Sequence, residues 1–313
     1  MSTWDLNQTE VTEFIILGFS NHQNFKSLLF VVFLLIYLVT LLGNLTLLTV
    51  MSIDSRLHTP MYFFLSNLAF VDICLTSCTL PKILAILLTD NKFISFRACM
   101  TQLYLLFSFA SVEFFQLCAM AYDRYVAICN PLRYSVIMNK RVCILLTAIS
   151  WTLGFLDGLP QSVTVSNFSF CGHNVIDHLF CDFHAILKLS CSDTSSLELL
   201  MHTLNACLAS VSVLFILTSY AQIISTILKI QNVERRRKAF STCSSHLTVV
   251  SIYSATVFFA YLRPQSKNAT TFDKLSDSLY NTLIPMLNPL IYSLRNKDVK
   301  AALMKITQGR TKH

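Results

Sequence analysis

Seven stretches of mostly apolar residues, each long enough to cross a bilayer, constrain this chain more than any other feature. A membrane-spanning helix needs about 20 such residues. The qualifying segments run roughly Phe25–Met51, Pro60–Leu87, Ala98–Ile128, Val142–Gln161, Leu197–Ile230, Phe240–Leu262 and Leu275–Leu294. The fourth contains Gly154, Asp157 and Gly158, and the seventh contains Pro285 and Pro289. The prolines read as kinks, because neighbouring membrane helices re-satisfy the carbonyls they free. Only 13% of residues are charged and 54% are hydrophobic, against about 25% charged in a soluble chain. The expected fold class is an all-α membrane protein with a seven-transmembrane helix bundle. Its expected divisions are an extracellular tail over 1–24, the bundle over 25–294, and a cytoplasmic amphipathic helix and tail over 295–313. No signal peptide is legible, so the first span is expected to direct insertion.

The lysines and arginines set the expected orientation. With the amino terminus outside, Arg124, Arg133, Lys140, Arg141, Lys229 and the run Arg235–Lys238 all fall at inner ends. The positive-inside rule then places the carboxyl terminus in the cytoplasm. The net charge of +7 is a topology signal and gives no reason to expect a nucleic-acid partner. Asn7, in the sequon Asn7-Gln-Thr9 on a free exposed tail, is the expected glycosylation site. Cys99, Cys171, Cys181 and Cys191 fall at or beyond the outer rim, where an oxidising space favours disulfides. Four cysteines allow three pairings. A zinc site involving His173, His178 and His184 is the weaker alternative, because their spacing matches no ligand pattern. After span seven, Val299, Ala302, Leu303 and Ile306 share one helical face among Lys297, Lys300 and Lys305. That pattern predicts a short helix on the inner leaflet, lysines toward anionic headgroups.

Ionisable groups at bilayer depth cost at least about 2.5–3.5 kcal/mol, so each calls for a role. From Cys99 to Arg124 a helix rises about 37 Å, an outer-rim to inner-rim crossing that puts Glu113 near mid-membrane. Asp72 in span two, Asn44 in span one and Asn288 in span seven lie at similar depth and are expected to converge. Two carboxylates together leave two options: one is protonated, or both share a cation, sodium being the expected ion for all-oxygen ligands. A network that only glues helices together is the plain structural reading. Outward of Glu113, the candidate pocket comprises Leu106, Phe107, Ala110 and Ser111 on span three and Met201, Asn205 and Leu208 on span five. Ser254, Val257, Phe258 and Tyr261 complete it from span six. Apolar walls with a few hydroxyls and one amide suit a small, largely uncharged ligand, and no acid or base is expected at this level.

At the inner end of span three stands MAYDRYVAICNPLRY, Met120–Tyr134, with Asp123, Arg124 and Tyr125 where the apolar run ends. Arg124 could snorkel to the headgroups as an anchor. However, Asp123 would neutralise a simple anchor, and Arg133, Lys140 and Arg141 already supply anchoring charge nearby. A two-state latch is therefore the preferred reading.

This stretch, together with Gly43-Asn44, LHTPMYFFLSNLAFVDIC (57–74), Ser219-Tyr220, KAFSTCSSHLTVV (238–250) and PMLNPLIYSLRN (285–296), resembles a rhodopsin-like G-protein-coupled receptor. Within that class the chain resembles a vertebrate olfactory receptor. The resemblance implies pairing of Cys99 with Cys181 and of Cys171 with Cys191. It implies that Arg124 contacts the G protein and that Asp123 holds it at rest. Tyr220 and Tyr292 would swing inward on activation, and the NPLIY stretch places Asn288 and Pro289 in the same machinery. The implied partners are an odorant, the lipid bilayer and a stimulatory olfactory-type heterotrimeric G protein that raises cyclic AMP. The implied location is the plasma membrane of olfactory cilia. The chain departs from the family's usual Phe-Tyr-Gly in span six, where it has Tyr253-Ser254-Ala255. The competing reading is a cation- or proton-coupled transporter or channel using Asp72 and Glu113, disfavoured by the odd span count and missing repeat. A membrane enzyme lacks a recognisable catalytic motif.

Overall fold

At membrane depth a backbone has no water to bond to, so each apolar run closes its hydrogen bonds within a helix. The computed structural model describes residues 11–18, 25–170, 174–262 and 271–307. Within these, the side chains at 235, 238, 241–242, 256–262, 271–277, 279–280, 294–295, 297 and 306–307 lie outside the description. The elements follow in chain order as β1 (Glu13–Ile16), α1 (Lys26–Ile53), α2 (Pro60–Thr89), β2 (Phe93–Ser95), α3 (Phe96–Cys129), α4 (Tyr134–Ile137) and α5 (Lys140–Ser166). There follow β3 (Val175–Ile176), α6 (Phe183–Leu187), α7 (Ser195–Leu228), α8 (Val233–Leu262), α9 (Thr271–Arg295) and α10 (Lys297–Thr307). Spans one to seven are α1, α2, α3, α5, α7, α8 and α9. Among the described residues, the first five of these are long and apolar enough to cross a membrane, and α8 and α9 run for 30 and 25 residues.

Two spans begin two residues before their apolar runs, at polar caps. Ser95 accepts a hydrogen bond from the Ala98 amide at 3.3 Å and starts span three at Phe96. Asn139 does the same for the Val142 amide at 3.1 Å and starts span four at Lys140. Such caps satisfy amides that have no partner inside the helix. Leu28, Leu35 and Leu42, seven residues apart on span one, are all more than half exposed. That stripe faces lipid, which is as apolar as the leucines themselves.

The described residues are mostly helical, as expected, with one small addition. A three-stranded sheet in the order β2-β1-β3 covers one end of the bundle. β1 pairs antiparallel with β2 and parallel with β3. Residues 13–16 belong to the supposed free tail, yet Phe14 and Ile16 are wholly buried while Glu13 is exposed. The period of two that makes a half-buried strand is present in the sequence but disappears when hydropathy is averaged over a helix-length window. Phe14 packs against Phe96 and Phe170, with ring centroids 5.9 and 5.5 Å away. Asn7 lies outside the described residues.

Kinks are repaired as membrane packing demands. Pro289 has no amide to offer the carbonyl of Pro285, four residues earlier. The Asn44 amide supplies the missing donor at 3.1 Å. At the end of the bundle opposite the sheet, α10 turns across the helices, capped by Asn296, whose Oδ1 accepts from the Asp298 amide at 3.0 Å. Its Val299 and Ala302 are fully buried in the same apolar cluster as Tyr292. The predicted apolar face therefore packs against protein. The Ile306 side chain lies outside the description.

Candidate functional site

Three levels of polar structure stack along the bundle. At the level farthest from the sheet, span three carries Asp123 and Arg124, both buried. The Arg124 guanidinium donates to Oδ2 of Asp123 through Nε at 2.9 Å and also through Nη2. The other carboxylate oxygen accepts from the Tyr134 hydroxyl at 2.8 Å. Asp123 is thus held on both oxygens, one by its neighbour and one from α4 beyond the span. Burial and the facing Asp123 carboxylate push the Tyr134 phenol well above its ordinary value, so it remains a donor. Tyr125 points elsewhere and lines a cleft of about 460 Å³ with Cys129, Thr226 and Lys229. Nearby, Tyr220 hydrogen-bonds His246 and stacks on it, with centroids 5.7 Å apart. Tyr292 is fully buried and its hydroxyl has no hydrogen-bond partner among the described residues.

At mid-bundle, three of the four expected groups meet. The Asn288 amide of span seven donates to both Asp72 oxygens, at 3.0 and 3.2 Å, and to Glu113 at 3.2 Å. All three side chains are buried. One amide bridging two carboxyl groups requires further positive charge or a proton between them. Asn44 does not join this group, because its amide is committed to the carbonyls of Thr40 and Pro285. The neighbouring Pro289 is buried.

Nearer the sheet, the predicted pocket residues divide. Leu106 and Met201 are buried in apolar clusters. Phe107 sits edge-on to Phe183 with ring centroids 6.3 Å apart. The Ala110 carbonyl accepts from the Tyr253 hydroxyl at 3.2 Å, and Tyr253 stacks on Phe114. Leu208 and Ser254 are half-buried. The side chains of Val257, Phe258 and Tyr261 lie outside the described residues. Ser111 donates to Asp157 of span four at 2.5 Å. Asn205 accepts from Gln161, also of span four, at 3.1 Å. The expectation that no acid stands at this level is therefore wrong. The reason is a close helix approach: a Cβ on Gly154 would sit 2.3 Å from Val112, and one on Gly158 would sit 2.3 Å from Ser108. Gly154-x-x-x-Gly158 is a small-residue packing motif, and it brings Asp157 up against span three. In the sequence these glycines stand out only as irregularities of span four.

Cys99 and Cys181 are disulfide-bonded, tying span three to the segment before α6. Cys191 is also disulfide-bonded, whereas Cys171 lies outside the described residues. Gln102 reinforces the same junction, donating to the Cys78 carbonyl at 2.7 Å and accepting from the Cys181 amide at 3.0 Å. The histidines of this region have other contacts. His184 meets Glu198 at 2.9 Å, His178 lies edge-on to Phe180, and His173 is outside the description. Among the described residues no group of three or more acidic, His or Cys side chains is placed to hold a metal ion. From sequence, Asp157 stood out only as an irregularity of span four, and Tyr134, His246, Gln161 and Gln102 carried no assigned role. Tyr134 and His246 do lie inside quoted motifs, but their partners are 11 and 26 residues away.

Comparison with known proteins gives one consistent result. Residues 33–310 match the family model described as Olfactory receptor. Mouse (Mus musculus) Olfactory receptor 5G9 is 48% identical over 299 residues, covering 96% of this chain and 95% of that protein. Mouse Olfactory receptor 8U9 is 48% identical over 301 residues, covering 96% of each chain. Human (Homo sapiens) Olfactory receptor 8H1 is 46% identical over 304 residues, covering 97% of each.

Proposed function

The chain belongs to the olfactory receptor family of G-protein-coupled receptors, so it is a multi-pass membrane receptor and not an enzyme, and on that premise we propose how it detects and signals. The sheet end, with residues 1–24, faces outward and the Asp123–Arg124 end faces the cytoplasm, consistent with the lysine and arginine distribution. Residues 25–294 form the bundle, and 295–313 provide α10 and a tail at the inner leaflet. The working location is the plasma membrane of olfactory cilia, with Asn7 glycosylated and Cys171 joined to Cys191.

A small, largely uncharged odorant binds between Leu106, Phe107, Ala110 and Ser111 of span three, Met201, Asn205 and Leu208 of span five, and the Ser254–Tyr261 face of span six. Its binding favours an open state in which Arg124 leaves Asp123 and meets a stimulatory olfactory-type G protein, raising cyclic AMP. Tyr220 and Tyr292 move inward in that state, where the Tyr292 hydroxyl, without a hydrogen-bond partner among the described residues, gains one. Asp72 and Glu113, bridged by Asn288, share a proton or a sodium ion. The observation that carries this reading is the closed condition of Asp123, with both oxygens engaged by Arg124 and Tyr134. A buried pair of this kind is held by its surroundings and is lost when one partner is removed.

The test is an odorant-dependent rise in cyclic AMP that Arg124→Ala abolishes at equal surface display. Ligand-gated current in cells lacking the G protein would replace this reading with a channel. For the mid-bundle pair, agonist potency that differs between sodium and choline buffers, with the difference removed by Asp72→Asn, assigns the sodium ion, and equal potency in the two buffers assigns the proton. Equal sodium dependence in that variant would move the ion elsewhere.

A further inference from the structure

The seam where span four meets spans three and five holds polar groups that the reading above does not use. Asp157 and Gln161 lie four residues apart on span four, hence on one face. Asp157 accepts from Ser111 at 2.5 Å. Gln161 donates from Nε2 to Asn205 Oδ1 at 3.1 Å. Both partners, Ser111 and Asn205, belong to the candidate pocket, so span four contributes its polar edge.

The two pairs do not close on themselves. Gln161 is 2% exposed, yet its Oε1 has no hydrogen-bond partner among the described residues. A buried acceptor left unmatched is unfavourable and marks a place where a donor is missing. Asp157 has spare acceptor capacity, because a carboxyl group offers several lone pairs and Ser111 fills one. The Ser111 and Gln161 donors already engaged are turned toward Asp157 and Asn205. Asn205 uses its Oδ1 for Gln161, which leaves its Nδ2 as a donor. Acceptors on span four, one of them bonded to span three and the other residue bonded to Asn205 of span five, suit, together with the Asn205 amide, a group that gives one hydrogen bond and receives another. A hydroxyl does both, while an ether or aldehyde oxygen only receives.

We propose that Asp157, Gln161 and Asn205 form a hydroxyl-recognising subsite, which makes this a receptor for small apolar alcohols or phenols. The proposal rests on the odorant-pocket reading above and adds the chemical class of ligand. Glycines 154 and 158 are part of the device, since their missing side chains let Asp157 reach span three.

The experiment uses full-length receptor purified in detergent and reads ligand-induced thermal stabilisation, which needs no G protein. The probes are matched sets on linear, terpene and phenyl skeletons: alcohol, methyl ether, aldehyde and parent hydrocarbon. Wild type should bind the alcohols about tenfold or more tightly than their ethers, because an unmatched buried polar group is what rejects the analogue. Asp157→Asn and Gln161→Leu should each shrink that ratio toward one, Asp157→Glu should retain part of it, and Phe107→Ala should weaken alcohols and ethers alike. Unliganded melting and surface display identify a variant that has merely lost its fold, and the Gln161→Leu ratio then decides. Ethers or hydrocarbons binding as well as alcohols would overturn the subsite and leave the pocket. So would an Asp157→Asn effect equal for every class. Stabilisation by no compound of any class overturns both.

Discussion

The two ends of the bundle are built from different kinds of bond. At the sheet end the Cys99–Cys181 disulfide, main-chain ladders on both sides of β1, and the Phe14, Phe96 and Phe170 rings hold the chain. Gln102 links two further segments there through main-chain groups. At the opposite end the principal ties are side chain to side chain: Arg124 and Tyr134 on Asp123, Tyr220 on His246, and Tyr62 on Asn296 and Asp298. Covalent and main-chain ties have one arrangement. Side-chain ties can be exchanged for others of similar strength, which is what a two-state element requires. The mid-bundle group of Asp72, Glu113 and Asn288 lies between the two.

Breaking the rigid end should have the largest effect. The disulfide closes a sequence separation of 82, worth roughly 4–5 kcal/mol in the chain-entropy account. Cys99→Ser should therefore remove most surface display and lower the melting temperature of what remains, both measured on tagged receptor. Unchanged display would show that the sheet and rings suffice without the bond. Breaking the exchangeable end should affect signalling before folding. Asp123→Ala is expected to raise basal cyclic AMP several-fold at matched display, and unchanged basal output would return the stretch to a plain anchor. Tyr134→Phe should move basal output in the same direction by less. It removes one hydrogen bond to a carboxylate, of the order of 1.5–3 kcal/mol, and leaves the ion pair in place.

The smallest expected effect concerns acid. Asp54 caps the short turn Ser55–Leu57, and its carboxyl is lowered from 3.8 to about 2, first of all by hydrogen bonding to Arg56. A lowered carboxylate stabilises the fold above its unfolded value and loses that contribution only as pH falls through the folded one. The protection of the Arg56 amide, its exchange relative to an unstructured peptide at the same pH, should therefore hold from pH 8 to 5 and fall only between about 4 and 2. Loss of protection near pH 6 would mean that another group controls the turn.

Much of this was legible in the residues, for reasons that differ by element. Seven apolar runs become seven long helices because the membrane leaves an apolar segment no other way to satisfy its backbone. Asp72 and Glu113 were conspicuous because charge is rare at that depth, and Asn288 meets both. The β1 strand was missed because four residues of alternating burial vanish in a window suited to helices. The role of Asp157 was missed because it depends on how closely span four approaches span three, which Gly154 and Gly158 set.

By itself the sequence determined the number of spans, the sites of the prolines, the charge at the mouth of span three and the family to which these motifs are similar. Each follows from local chemistry: hydropathy, a missing amide, or a charge where an apolar run stops. Only the tertiary structure decided partners. Asn44 serves the carbonyl freed by Pro289 rather than the carboxylates, Tyr134 returns across 11 residues to Asp123, and Ser111 turns to span four. Helical periodicity fixes which residues share a face. It leaves open the rotation and depth of that face against its neighbours, which packing of the whole bundle sets.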